Sequence, residues 1–259
     1  MEKTSISIVG GAGKMGLAIV EEAKKYPDVT IKFLVEENGH ESIGKKYDGI
    51  LITDDIKSCI GECDVVIDFS SPKSTLNVMK FLKEQKETAL VIGTTGFSES
   101  QEQEFQFLKK GLKVLRASNM SVGVNVMFKL TNQVTKMLPD NTNVEIVDVH
   151  HNKKKDAPSG TSLSLGEEVI NGKNLGEKYS FEFRGLEKNK IRKENGIGFS
   201  SIRGGDVIGD HSVYFFLDGE RIELVHRASK RSIYAKGAIL AATWIKNKGY
   251  GLYNMKDIL

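Results

Sequence analysis

Cysteine, proline, tryptophan and one-sided charge are all scarce in this chain. Its 259 residues include two cysteines, four prolines and one tryptophan. Two cysteines make no disulfide framework, so a reducing compartment is expected. Cys59 and Cys63 would share a face if their segment were helical. No further ligands lie near them in sequence, so they read as ordinary packed thiols and not as a metal site. Four prolines exclude a proline-rich architecture. The 37 basic and 34 acidic side chains leave a net charge of +3, too small to set up a whole-chain field for nucleic acid or membrane. No run approaches the roughly 18 apolar residues of a membrane span. The N-terminus, MEKTSISIVGG, lacks the apolar core of a signal peptide. A soluble, cytoplasmic protein with neither nucleic-acid nor membrane partner is therefore expected.

The chain does have ordinary globular proportions, 39% hydrophobic and 27% charged, and length for one large domain or two ordinary ones. Its first half alternates short β-branched runs with helical stripes. Strands are predicted at Ser5–Val9, Thr30–Val35, Asp64–Phe69, Ala89–Ile92 and Val114–Ala117. Helices fit at Met15–Lys25, Pro72–Glu84 and Ser98–Lys110, the last with Ser98 as N-cap and Gln101 as its reciprocal partner. Strand and helix in turn imply right-handed crossovers and a parallel sheet covered on both faces.

The pattern changes near residue 121. A helix is expected over Val122–Met137, a strand over Asn143–Val149 and a helix over Thr161–Asn171. Further strands are expected over Tyr179–Arg184, Gly198–Arg203, His211–Leu217 and Glu220–Arg227. Turn signals at Gly204-Gly205-Asp206 and Asp218-Gly219 predict hairpins in a mostly antiparallel or mixed sheet. Tyr234–Lys246 is helical again. The fold class is thus α/β: a Rossmann-type doubly wound parallel sheet plus a second α+β domain.

Gly11, Gly13 and Gly16 have G-x-G-x-x-G spacing, with a strand before and a helix after. Such glycines permit a tight turn, close backbone approach to a pyrophosphate, and helix–strand packing. The helix N-terminus offers N–H groups to the phosphates. The second strand ends in Glu36, placed to accept hydrogen bonds from a ribose hydroxyl. Glu37 follows it. A cofactor 2′-phosphate would meet two carboxylates, at about 1 to 4 kcal/mol per contact near 4 Å, partly offset by Lys14. NADH is therefore expected to serve at least as well as NADPH. The loops Gly93-Thr94-Thr95-Gly96 and Ala117-Ser118-Asn119-Met120 follow later strands, at the sheet edge where ligands bind.

The segment from Glu145 to Thr161 holds His150, His151, three consecutive lysines, and then a turn into a helix. Ser159, Gly160 and Thr161 at that helix start would offer N–H and hydroxyl groups to a carboxylate. Taken alone, Lys153 to Lys155 read better as a solvated loop. His150 and His151 should face opposite ways unless the strand ends between them.

This segment resembles the signature of the dihydrodipicolinate (4-hydroxy-tetrahydrodipicolinate) reductase family: His150-His151, Lys154, then Asp156-Ala157-Pro158-Ser159-Gly160-Thr161. The resemblance covers essentially the whole chain, including Arg203 to His211 and Ala228 to Arg231. It implies reduction of a small cyclic dicarboxylate by NADH or NADPH, in lysine and diaminopimelate synthesis. It implies cofactor contacts at Gly10, Gly11, Ala12, Gly13, Lys14, Met15, Glu36, Gly93, Thr94, Thr95, Ala117, Ser118, Asn119, Met120 and Arg231. His150 and Lys154 fall at the proposed proton-transfer positions, with Lys154 the first choice of donor and His150 the second. His151, Ser159, Gly160 and Thr161 fall where substrate carboxylates are gripped, and no metal is implied. The resemblance also implies a dinucleotide-binding domain of residues 1–121 and 229–259, a substrate and oligomerisation domain of residues 122–228, and a homotetramer joined through the second sheet. The chain departs from the family pattern in three places. Asp148 stands where Glu is common, Met120 where Phe is common, and Glu37 where some members carry Arg. Three rivals share parts of the pattern: another Rossmann reductase of a small acid, a non-catalytic NADH sensor, and a nucleic-acid binder.

Overall fold

The computed structural model describes residues 3–85, 87–173, 179–183 and 191–259. The chain forms two compact units, Met1–Val122 with Ser232–Leu259, and Gly123–Arg231. In the first unit, β1 (Thr4–Val9), β2 (Val29–Val35), β4 (Ile50–Thr53), β5 (Val65–Asp68), β6 (Ala89–Ile92), β7 (Lys113–Arg116) and β13 (Gly251–Tyr253) run parallel. β3 (Lys46–Tyr47) adds an antiparallel edge. The order is β13-β7-β6-β5-β1-β2-β4-β3, so the chain reverses its direction of travel across the sheet beside β1.

Alternate residues of each strand feed opposite helical layers. Ile6, Ile8, Val65, Ile67, Ala89 and Val91 pack with α1 (Lys14–Ala23) and α7 (Ser232–Ile245). Val66, Leu90, Ile92 and Val114 pack with α2 (Ile56–Gly61), α3 (Pro72–Leu82) and α4 (Glu99–Leu108). Both strand faces are dry, which is why these strands read as continuous apolar runs. The expected capping box at Ser98 and Gln101 is present.

Among the described residues, five elements escape the sequence reading: β3, β4, α2, β13 and a single 3-10 turn over Met255–Asp257, all of six residues or fewer. Cys63 lies beyond the end of α2, so it and Cys59 do not share a helical face. Both thiols are buried and free. Burial raises them to about 12 at Cys59 and about 11 at Cys63, as befits packed, unreactive groups.

The second unit has a five-stranded sheet in the order β12-β11-β8-β10-β9. Its strands are β8 (Asn143–His150), β9 (Ser180–Phe183), β10 (Gly196–Arg203), β11 (Asp210–Phe216) and β12 (Arg221–Arg227). β10 is parallel to β8 and β9, and β11 is antiparallel to β8 and β12. The sheet is mixed, as the sequence predicts. Arg184, the last residue of one predicted strand, lies outside the described residues. The turn at Gly204-Gly205-Asp206 does not close a hairpin, because β10 and β11 flank β8 on opposite sides. Asp218-Gly219 does close one, between β11 and β12.

α5 (Val122–Met137) and α6 (Gly160–Lys173) cover one face of this sheet over Val144, Ile146, Phe199, Val213 and Phe215. On β8 the same face continues as Asp148 and His150, both buried. The apolar row thus turns polar at the strand's end. Among the described residues, no helix is long and apolar enough to cross a membrane.

Candidate active site

Two groups of site residues form, one in each unit. In the first unit the chain leaves β1 through Gly10, whose φ is +74°. The tight turn therefore falls on Gly10, one residue before the G-x-G-x-x-G triad. Gly16 supplies close packing, since a Cβ there would lie 2.4 Å from the Gly10 carbonyl oxygen. α1 begins after Gly13 with no side-chain cap, which leaves its first N–H groups directed at the turn. The Glu36 carboxylate accepts a hydrogen bond of 2.7 Å from Ala12 N–H, so the acidic residue steadies the glycine turn.

A cavity of about 360 Å³ opens beside the ends of β1, β2 and β5, lined by Gly10, Glu36, Glu37, Asp54, Ser70 and Lys73 among others. That is the reversal point of the sheet, where dinucleotides bind. A turn that excludes side chains, an uncapped helix start and an acidic strand end together fit a nicotinamide dinucleotide. The sequence reading omits Ser70, Lys73 and Asp54. The Ser70-Ser71-Pro72 run after β5, a cap and a helix-starting proline, was the available signal.

The remaining predicted cofactor positions are divided. Lys14, Thr95 and Ser118 are exposed, and Met15, Gly93, Ala117 and Asn119 are half-buried. Met120 is buried in the core. Thr94 is also buried, its hydroxyl 3.1 Å from Asp68 Oδ1 while accepting from Ser70 N–H. Arg231 belongs to the second unit, where its charge acts on His151.

In the second unit β8 ends at His150, so the strand alternation that would send His151 to the opposite face stops between the two histidines. His150 is buried and His151 half-buried. The loop after them is laced to the turn after β10. His151 N–H bonds the Val207 carbonyl at 2.7 Å, and Gly204 N–H bonds the His150 carbonyl at 2.9 Å. Desolvation, then the charges of Arg231, His150 and the neighbouring lysines, lowers His151 below the ordinary histidine value. Lys154 Nζ pairs with Asp156 Oδ1 at 2.9 Å.

Beneath this loop lies a buried polar cluster. Asp148 is fully buried. Its Oδ2 meets His150 Nδ1 at 2.8 Å and Arg203 Nη1 at 2.6 Å, and its Oδ1 accepts from Ser201 Oγ at 2.6 Å. Burial pushes this carboxyl up, but the hydrogen bonds from His150, Ser201 and Arg203 outweigh it and hold the group well below the usual carboxylate range. Arg203 also donates to the Asp156 carbonyl at 2.7 Å.

Ser159 turns inward. Its hydroxyl accepts from Ser162 N–H at 3.2 Å, capping α6, and meets His211 Nε2 at 3.0 Å. Gly160 is exposed and Thr161 half-buried at the helix start. His211 is buried, its ring edge-on to His150 with centroids 5.1 Å apart.

Sequence reasoning assigned no role to Ser201, Arg203 or His211, and noted Asp148 only as a departure. The spacing of two between Asp148 and His150, and between Ser201 and Arg203, puts each pair on one strand face. The register that joins them, Ser201 to Asp148 and Arg203 to His150, has no sequence signal.

The doubly wound sheet, its glycine turn and an acid–base cluster on a second sheet define a dinucleotide-dependent oxidoreductase. Two family models match the chain, "Dihydrodipicolinate reductase, N-terminus" over residues 4–120 and "Dihydrodipicolinate reductase, C-terminus" over residues 123–259. The chain is 40% identical to the 4-hydroxy-tetrahydrodipicolinate reductases of Geobacter metallireducens and Ralstonia pickettii, in each case over 98% of both chains. Among solved structures it is similar to dipicolinate-bound dihydrodipicolinate reductase from Paenisporosarcina sp. TG-14. There the TM-score is 0.79 and the identity 22%, over 99% of this chain and 100% of that one. The chain belongs to the dihydrodipicolinate reductase family.

Burial, and next the charge of His150, push His211 down to about 3, against the opposing pull of Asp148. Between that value and the ordinary histidine value near 6.5, the unfolded chain binds the extra proton. Stability from this group is therefore present above about pH 6.5 and is lost as pH falls toward 3, by at most about 1.4 kcal/mol per pH unit. Urea unfolding of wild type and His211→Gln from pH 7.5 to 4.5 should show the wild-type advantage shrinking by about 1 kcal/mol per unit below pH 6.5. Parallel curves would refute the assignment.

Proposed function

We propose that this chain reduces 4-hydroxy-tetrahydrodipicolinate (dihydrodipicolinate) to tetrahydrodipicolinate, using NADH or NADPH, in cytoplasmic lysine and diaminopimelate synthesis. The first unit holds the dinucleotide, and the second holds the substrate and joins subunits. The observation that carries this reading is the cationic segment from His150 to Lys154, set beside the N-terminus of α6 and anchored on Asp148 and Asp156. Such a surface suits a doubly anionic ring.

The 4-hydroxyl leaves as water to give the unsaturated ring, and a reduced nicotinamide, when bound, would supply the hydride to it. The protein must then deliver a proton to the atom next to the reduced carbon. Lys154 is the first choice, because its ammonium pairs with Asp156 on the loop that leads into α6; His150 is the second. His151 and the backbone of Gly160 and Thr161 receive the carboxylates, where charge-assisted hydrogen bonds contribute roughly 1.5 to 3 kcal/mol each. Loss of NADH absorbance in the presence of the preceding synthase's product tests the reaction. Lys154→Ala should lower turnover about 10² to 10⁴-fold, and unchanged turnover rejects its role.

Glu36, Glu37 and Asp54 line the first unit's cavity against a single ammonium, that of Lys73. This balance supports use of NADH at least as well as NADPH. The ratio of kcat/KM for the two cofactors tests it, and a hundredfold preference for NADPH would reverse the conclusion.

The face of the second sheet away from α5 and α6 carries Val147, Val149, Ile202, Tyr214, Phe216 and Val225. Ile202 is 53% exposed and Val225 44%. A broad apolar face of this kind supports a homotetramer joined through these sheets. Sedimentation should give four times the chain mass, and Val225→Asp should dissociate the assembly. A monomeric wild type would end that reading.

A further inference from the structure

We propose that Asp148 is a positioning residue that fixes His150 with its proton on Nδ1, leaving Nε2 as the nitrogen that exchanges protons. The catalytic consequence rests on the reductase reading above; the tautomer does not.

An ionised carboxylate only accepts hydrogen bonds. Asp148 is surrounded by donors, namely Arg203 Nη1 and Ser201 Oγ at 2.6 Å, with Ser159 N–H at 3.4 Å. His150 Nδ1, 2.8 Å from Oδ2, must therefore carry hydrogen. In the neutral ring the lone pair then lies on Nε2. The ring is also held against rotation, since His211 packs edge-on against it and is itself tied to Ser159. Beside Nε2 stands Gly209, where a Cβ would come to 3.0 Å; glycine keeps a side chain off that nitrogen. Arg203 serves both proton-bearing groups. One end of its guanidinium bonds Asp148, and the other bonds the Asp156 carbonyl on the loop of Lys154.

Long-range ¹H–¹⁵N spectra of the histidine rings, recorded in alkaline buffer where imidazoles are neutral and assigned with His150→Gln, read the tautomer directly. Wild type should show hydrogen on Nδ1. Asp148→Ala removes the acceptor, so Nδ1 should lose its hold on the hydrogen, which should move to Nε2. Turnover should then fall about 10²-fold or more, while KM for NADH stays within roughly threefold. Asp148→Glu restores a carboxylate and should bring back the Nδ1 tautomer and most of the turnover. A wild-type ring protonated on Nε2 would overturn the proposal even if no variant folds. So would an Ala variant with the moved hydrogen and turnover within roughly threefold of wild type. A wild type without turnover would sink the reductase reading instead, and the spectra would still decide the tautomer.

Discussion

A negative charge with no access to water sits at the centre of the second unit. Removing a carboxylate from solvent costs several kcal/mol, and only close, well-directed donors offset that cost. Asp148 has them from two strands and a helix start: His150 on its own strand, Ser201 and Arg203 on β10, and Ser159 before α6. Each donor is thereby fixed in place by the charge it stabilises. The end of β8, the turn after β10 and the cap of α6 meet because this carboxylate needs all of them. Deleting one member leaves a buried charge short of partners, which is why such clusters fail as units.

The site grows out of the core without a break. Along β8 the helix-covered face reads Val144, Ile146, Asp148, His150. The first two pack against α5 and α6, and the second two become the cluster. One strand period therefore sets both the packing and the chemistry. The apolar half also lowers the local dielectric, which strengthens every hydrogen bond in the polar half. His211 shows the other side of this. It is buried beside His150, and among the described residues its Nδ1 has no hydrogen-bond partner, so the ring stays neutral well below the ordinary histidine value.

Local features were legible in the sequence and register was not. The capping box at Ser98 and Gln101, the helix-starting glycine run and the break after His150 each depend on neighbours a few residues away. The parallel sheet was legible because burial on both faces writes continuous apolar strands. By contrast, Arg203 lies 55 residues from Asp148, and their meeting depends on β10 pairing with β8. Gly204-Gly205-Asp206 looked like a hairpin turn because glycine marks the bend and says nothing of where the next strand goes; β11 crosses to the far side of β8. The glycine turn shows the same limit on a smaller scale. The triad's spacing was visible, yet the left-handed residue is Gly10, forced by its approach to the Phe69 carbonyl, a contact made only once β5 lies beside β1.

The two candidate proton donors are held in different ways, and the difference bears on their roles. His150 is fixed by a buried charge and a packed ring, so its direction is set before any ligand arrives. Lys154 is held by Asp156, whose side chain is 57% exposed. The Lys154 side chain is 21% exposed, but a pair open to water on its carboxylate side contributes little, about 0 to 1 kcal/mol. Lys154 can therefore exchange Asp156 for an incoming carboxylate or a reacting atom at little cost, while His150 cannot leave Asp148 without stranding its charge. A rigid imidazole suits orientation and proton storage. A lightly tethered ammonium suits delivery, because a donor must follow the atom it protonates. On the proposed reading, Lys154 is the group that moves and His150 the one that stays.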